Sequence, residues 1–242
     1  MLNFRMLPAG DTAIVIEFGD RIDRQISSRV LALARCLNAV QLNGLIETVP
    51  TFRSLMVHYD PLVLPTASLI AHISKLMQES QGPEQAGRLW RLPTCYDARL
   101  APDLEDVATR TGLSPAQVIE RHSAITYHVY MLGFLPGQAY LGDAPAELTL
   151  ARRETPRKRI PAGSLAIANT MTCIFPLETP CGWHLIGRSP VALWERQRAL
   201  LAPGDKVILT PISFREYENL LTLAAQGTLA ITPADDVAKA AA

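Results

Sequence analysis

The chain has 242 residues, 48% hydrophobic and 19% charged, with Lys+Arg and Asp+Glu both numbering 23. That length buries one large core or two modest ones. With formal charges summing to zero, no overall field draws nucleic acid or an anionic membrane, so any charged partner must be met by a local patch.

The opening, MLNFRMLPAGDTAIVIEFGD, has no charged region ahead of a long apolar run and no small-residue cleavage site, so no secretory signal is expected. Nowhere do about eighteen apolar residues run uninterrupted, which speaks against a spanning helix. Cys36, Cys95, Cys173 and Cys181 are widely spaced and read as small core residues rather than a disulfide framework, which implies a cytoplasmic address. Without CxxC, HExxH or another close ligand pair, no structural metal is expected.

Ala13 to Phe18, AIVIEF, is a β-branched run bounded by Gly10 and Gly19 and reads as a strand. Val30, Leu31, Leu33, Ala34, Leu37 and Val40 recur near helical spacing, and Asn43-Gly44 closes that pattern as a turn. Leu45 to Val49 and Ser54 to Tyr59 read as two strands joined around Pro50 and Thr51, followed by a helix carrying Leu69, Ile70, Ile73, Leu76 and Met77. The order β-α-β-β-α predicts a small open sheet with two helices against one face.

Gln81 to Gly87 carries almost nothing apolar and two glycines around Pro83, so it reads as a linker, which places the first domain at 1–82 and the second at 83–225. Leu89 to Thr94 restarts as a strand. Pro102 to Arg110 and Ser114 to His122 read as short helices, the second opened by Ser114 as N-cap and Pro115 at the first helical position. From Tyr127 the pattern turns to short strands and turns, through Asp205 to Pro211, with a last short helix from Phe214 to Leu223; residues 226–242 read as a fraying tail.

The stretch from Tyr127 to Pro190 concentrates the chemistry. Gly133-Phe134-Leu135-Pro136-Gly137, with Gln138, Tyr140 and Leu141, sets two glycines beside bulky residues, which suits either a close ligand approach or a tight barrel corner. Arg152, Arg153, Arg157, Lys158 and Arg159 gather positive charge locally, and guanidinium matches carboxylate or phosphate in a bidentate way. A solvated loop would explain the run as well, but Pro156 and Pro161 stiffen it. Pro161-Ala162-Gly163-Ser164 offers turn amides and a hydroxyl for an oxyanion; Ser164 lacks a GxSxG elbow. Gly182 to Ser189, GWHLIGRS, imitates a phosphate loop but has Arg188 for the lysine and Pro190 next, so it reads as strand and turn, with Arg188 an anion candidate. His122 and His128 stand just before the glycine-rich stretch, where an imidazole could move protons near neutral pH.

Four ordered motifs, HSAITYHVYMLGFLPGQAYLG, TPRKRIPAGSLAIA, PLETPCGWHLIGRSP and PGDKVILTPIS, resemble the KipI/PxpB family, also called allophanate hydrolase subunit 1, and the likeness covers most of the chain. The resemblance implies an α+β fold, a small α/β N-terminal domain followed by a cyclophilin-like β-barrel. It implies the PxpB-type component of an ATP-dependent 5-oxoprolinase, which opens the lactam of 5-oxoproline to glutamate. The partners it implies are a KipA/PxpC-like component and a separate third, PxpA-like one, with ATP and its magnesium as cofactor. Other members resemble part of the carboxyltransferase unit of urea carboxylase or act on allophanate or urea, and one namesake inhibits a sensor histidine kinase; peptidyl-prolyl isomerisation would rest on the barrel alone.

Position by position, the matching residues include His122, Gly133, Phe134, Pro136, Gly137, Tyr140, Arg152, Arg157, Pro161, Ala162, Gly163, Ser164, Trp183 and Arg188. On this basis His122, Arg157 and Ser164 are expected to be catalytic. Gly133, Phe134, Pro136, Gly137, Gln138, Tyr140, Arg152, Pro161, Ala162, Gly163 and Arg188 are expected to bind substrate. The chain departs from the family pattern at Gln138 and Asp143, at Asn169, Met171, Cys173 and Phe175, and at Cys181, which stands where glycine is usual; the substrate is open to change at those points.

Overall fold

The computed structural model describes residues 4–79 and 87–234. The chain divides into two compact units, Met1–Ala86 and Gly87–Ala242. The linker read at Gln81 to Gly87 lies, through Ala86, outside the described residues, as does the tail from 235 onward.

The first unit runs β1 (Arg5–Pro8), β2 (Ala13–Glu17), α1 (Arg24–Val40), β3 (Leu45–Pro50), β4 (Ser54–Tyr59) and α2 (Thr66–Glu79). Its sheet has the order β1-β2-β4-β3, antiparallel throughout. Asp23 starts α1, its carboxylate accepting from the N–H groups of Gln25 at 2.8 Å and Ile26 at 3.1 Å. Strand alternation turns Leu55, Val57 and Tyr59 inward with Ile14 and Ile16, where Val30, Leu33 and Leu37 of α1 and Leu69 and Ile73 of α2 cover them. Of the elements described in this unit, only β1 escaped the sequence reading. RMLP is too short to show a period and contains a proline, and it is held by its pairing with β2 from Arg5 opposite Glu17 to Pro8 opposite Ile14.

The second unit contains β5 (Leu89–Cys95), α3 (Leu104–Thr111), α4 (Pro115–Ser123), β6 (Tyr127–Leu132), β7 (Ala139–Gly142), β8 (Arg157–Ile160), β9 (Ser164–Ala168) and β10 (Met171–Ile174). It continues through β11 (Thr179–Cys181), β12 (His184–Arg188), β13 (Trp194–Glu195), β14 (Arg198–Ala199), β15 (Lys206–Ile212) and α5 (Phe214–Ala225). Seven of the strands close into a barrel in the order β10-β7-β6-β15-β5-β12-β9. The predicted architecture, a small α+β unit followed by a β-barrel, is the observed one.

The barrel closes where its first and last strands pair in parallel, Leu89 beside Lys206 through Cys95 beside Ile212. Asp205, buried, locks that seam: it accepts from the Arg88 N–H at 2.9 Å, the Trp90 indole at 2.8 Å and the Ala202 N–H at 3.0 Å. Leu92, Val129, Leu141, Leu165, Ile167, Ile174, Ile186 and Leu209 fill the interior together with Val107 of α3 and Val118 of α4. The cap that starts α4 is reciprocal: the Ser114 hydroxyl accepts from Gln117 N–H at 3.2 Å, and Gln117 Oε1 accepts from Ser114 N–H at 2.9 Å. Among the described residues no helix is long and apolar enough to cross a membrane.

Candidate functional site

The basic segment between Arg152 and Arg159 is divided among different partners. Asp103, almost fully buried ahead of α3, receives Arg157 in a two-pronged pair at 2.8 and 2.6 Å, and Arg153 at 2.9 Å. It also accepts from the Leu185 N–H at 2.7 Å, while its own N–H donates to Leu185 O at 3.0 Å. Burial alone would raise its pKa, but the bond from Arg157, the Leu185 N–H and the two nearby cations outweigh that and hold the carboxyl below its usual value. Arg159 lies exposed against Glu178 at 2.5 Å.

Arg152 takes no part in this network. Its guanidinium stands 5.9 Å over the Trp183 ring, and among the described residues no carboxylate pairs with it. Around Trp183, Tyr140 and Phe175 pack edge-on, at 6.1 and 6.4 Å between ring centres. Tyr140 comes from β7 and Cys173 from β10. These strands pair through Leu141 and Thr172, whose side chains turn inward, so Tyr140 and Cys173 meet on the outer face. Burial raises the Tyr140 phenol, with Cys173 adding to the rise and Arg152 opposing it. Burial likewise pushes the Cys173 thiol well up. Gln138, two residues before Tyr140 and almost fully buried, directs its amide nitrogen to the Cys173 sulfur at 4.0 Å.

The loop leading to Gln138 is held by backbone geometry. Gly133 N–H donates to Gln138 O, and Gln138 N–H to Leu135 O, both at 3.1 Å. Gly137 has φ +76° and lies so close to Leu193 that an added Cβ would come within 2.7 Å of its carbonyl oxygen. Phe134 sits at φ +73° with 69% of its surface exposed, a costly conformation for a bulky side chain, and Pro136 follows on the exposed outer side of the turn.

Pro161, Ala162, Gly163 and Ser164 form a turn whose amides are already engaged: Ser164 N–H donates to Pro161 O at 3.3 Å and Gly163 N–H to Phe175 O at 2.7 Å. The Ser164 hydroxyl also donates to Pro161 O, at 2.7 Å. Gly163 has φ +80°, and a Cβ there would meet Ser189 O at 2.4 Å. Arg188 covers this turn, its Nε donating to Ala162 O at 2.9 Å.

His122 lies wholly buried on α4. Its Nδ1 is 2.9 Å from the Tyr96 hydroxyl and its Nε2 is 3.1 Å from the Thr172 hydroxyl, which donates onward to Ala166 O at 3.0 Å. Burial lowers its pKa to about 3, so the imidazole is neutral at physiological pH. Of the residues singled out by sequence, the structure therefore gathers Gln138, Tyr140 and Arg152 on one patch. His122 belongs to an interior chain, Arg157 to Asp103, and Ser164 to a closed turn that reaches the patch through the backbone of Phe175. Asp103, Tyr96 and Thr172 gave no sequence signal. Each is a lone polar residue whose role depends on a partner more than twenty positions away.

The second unit is thus a closed barrel that carries a solvent-facing cation over an aromatic ring. Residues 4–203 match the family model for the carboxyltransferase domain, subdomain C and D, and the chain belongs to that family. It is 36% identical over 230 residues to the B component of 5-oxoprolinase from Bacillus subtilis, covering 89% of this chain and 96% of that protein. It is 36% identical over 205 residues to the corresponding B component from Escherichia coli, covering 84% and 93%. A conserved Pyrococcus horikoshii protein of solved structure is 37% identical, with TM-score 0.52, over 88% of this chain and all of that one. The Kluyveromyces lactis urea amidolyase, 19% identical, shares the fold with TM-score 0.77, and this chain spans 16% of it.

Proposed function

We propose that this chain is the PxpB-type component of an ATP-dependent 5-oxoprolinase, acting in the cytoplasm with KipA/PxpC-like and PxpA-like components to open 5-oxoproline to glutamate. The 5-oxoprolinase relatives support the activity. The observation that carries it to this chain's own residues is Arg152, a cation without a carboxylate partner among the described residues, held over Trp183 beside Tyr140. A small, flat ring bearing one carboxylate suits such a place: the ring lies on aromatic carbon and the carboxylate meets the guanidinium.

An unstrained lactam resists hydrolysis, and phosphorylation of its oxygen, with ATP as donor, makes a better electrophile. The described residues form no phosphate loop for the nucleotide. Gly182 to Ser189, which resembled one, is largely β12, with Gly187 pressed against Cys95 O and the Arg188 Nε engaged by Ala162 O. We assign the triphosphate to the partner components. In this reading the chain holds and orients the lactam. Arg152 binds its carboxylate, Arg157 acts through Asp103 to fix the segment that presents Arg152, and His122 and Ser164 keep the strands behind the patch in place.

The test is reconstitution with the PxpA-like and PxpC-like proteins of the same organism. The complete complex should hydrolyse ATP only when 5-oxoproline is present and release glutamate, while this chain alone should do neither. A complex whose ATP hydrolysis ignores 5-oxoproline would remove the substrate assignment.

A further inference from the structure

We propose that Gln138 reads the N–H of the ligand: its Oε1 accepts a hydrogen bond from a ring-amide nitrogen and so selects N–H lactams over the matching lactones and N-alkyl lactams. The inference rests on the reading of this chain as part of a lactam-opening enzyme.

Gln138 is 1% exposed, and its Oε1 has no hydrogen-bond partner among the described residues. A carboxamide carries two donors and an acceptor. Here the nitrogen faces Cys173 and the oxygen is left over. Burying an acceptor without a partner costs stability that an apolar residue of similar size would not. The backbone that carries it is fixed, because both main-chain groups of Gln138 are tied into the turn with Leu135 and Gly133, and Gly137 is pinned against Leu193. The unmet group lies just beneath the surface, against Cys173 of β10.

The outer face of β7 and β10 already holds the other half of a recognition element. Gln138 touches Cys173, and the Arg152 charge is felt at both Cys173 and Tyr140. In 5-oxoproline the carbon bearing the carboxylate is bonded directly to the ring nitrogen. A protein that reads this ligand must accordingly present a cation and a hydrogen-bond acceptor side by side. Arg152 and Gln138 supply that pair, with the Trp183 ring, against which Tyr140 packs edge-on, as the apolar surface. A lactone would turn ring-oxygen lone pairs toward Oε1, and an N-methyl lactam would bring bulk without a donor; both leave the acceptor unmatched.

The test is calorimetric titration of this chain assembled with its PxpC-like partner, using 5-oxoproline, its N-methyl derivative and the corresponding γ-lactone carboxylate. The wild type should bind 5-oxoproline about tenfold or more tightly than either analogue. Gln138→Met, or Gln138→Leu should the methionine variant not fold, should bind all three within about threefold. Gln138→Glu, which keeps an acceptor, should bind every probe more weakly yet retain the preference for N–H. Equal binding of the three probes by the wild type, binding of none, or a preference that survives in the methionine variant would overturn the assignment. If the preference exists and depends on Gln138 but the complete complex shows no 5-oxoproline-dependent ATP hydrolysis, the substrate reading falls and the role of Gln138 stands.

Discussion

Arg152 and Arg157 belong to one basic run, yet they sit in opposite electrostatic surroundings. Arg157 is committed to a buried carboxylate that also gathers Arg153 and the Leu185 amide, so its charge is neutralised inside the fold. Arg152, between that network and solvent, faces an aromatic ring and, among the described residues, no carboxylate. The difference teaches that positive charge in a sequence marks a binding site only where the fold leaves it without an internal partner. The first kind of arginine holds a loop, and the second is the kind proposed here to hold a ligand.

The sharpest way to break this contrast is to remove the anchor. Asp103→Ala leaves two guanidinium groups and a buried N–H without their acceptor and should cost about 3–5 kcal/mol, measured by denaturant unfolding. It should also weaken 5-oxoproline binding although Asp103 touches no ligand, because the segment presenting Arg152 is no longer fixed. The pH dependence follows from the depressed pKa. The contribution of Asp103 is complete above its unfolded value of 3.8 and is lost as pH falls through the lower folded value. A stable, fully binding Asp103→Ala would mean that the two arginines are not differently employed.

The complementary change is smaller and should act on binding alone. Arg152→Ala removes a charge that supports no internal structure, so unfolding should shift by less than about 0.5 kcal/mol. Affinity for 5-oxoproline should drop roughly 10- to 100-fold, the loss of a charge-assisted contact. Titration and melting of one sample separate the two readouts, and a variant that melts early but binds normally would reverse the roles given to the pair.

The contrast also explains what the sequence could and could not reveal. Strands and helices with a clear period, such as Ser54 to Tyr59 and the segment from Val30 to Leu37, were legible because burial on one face writes itself into local spacing. Ser114-Pro115 announced α4 for the same local reason. The basic run was legible as a run, but not its division, because Asp103 lies about fifty positions away. Gln138, at the end of the turn, and Tyr140, on β7, stand two residues apart and could be paired in advance. Their meeting with Cys173, Trp183 and Arg152 depends on barrel closure, which no local pattern encodes.

A further prediction concerns another polar feature inside the barrel unit, the histidine that proximity to the glycine-rich loop recommended for proton transfer. His122 is buried between the Tyr96 and Thr172 hydroxyls, with a pKa pushed down from 6.5 to about 3 by loss of solvent. Between those two values the unfolded chain takes up a proton that the folded chain refuses, so stability should fall as pH drops below 6.5, by about 1.4 kcal/mol for each pH unit once well below it. This window lies above that of Asp103, so the two contributions can be separated in a series of unfolding curves. His122→Gln offers donor and acceptor groups to the same two hydroxyls without a titrating ring, and should flatten the decline between about pH 6 and pH 4 while leaving the pH profile of turnover unmoved. A turnover profile that loses a limb near neutrality in this variant would place the imidazole in contact with the reaction, and the interior chain would then share the task assigned to the outer patch.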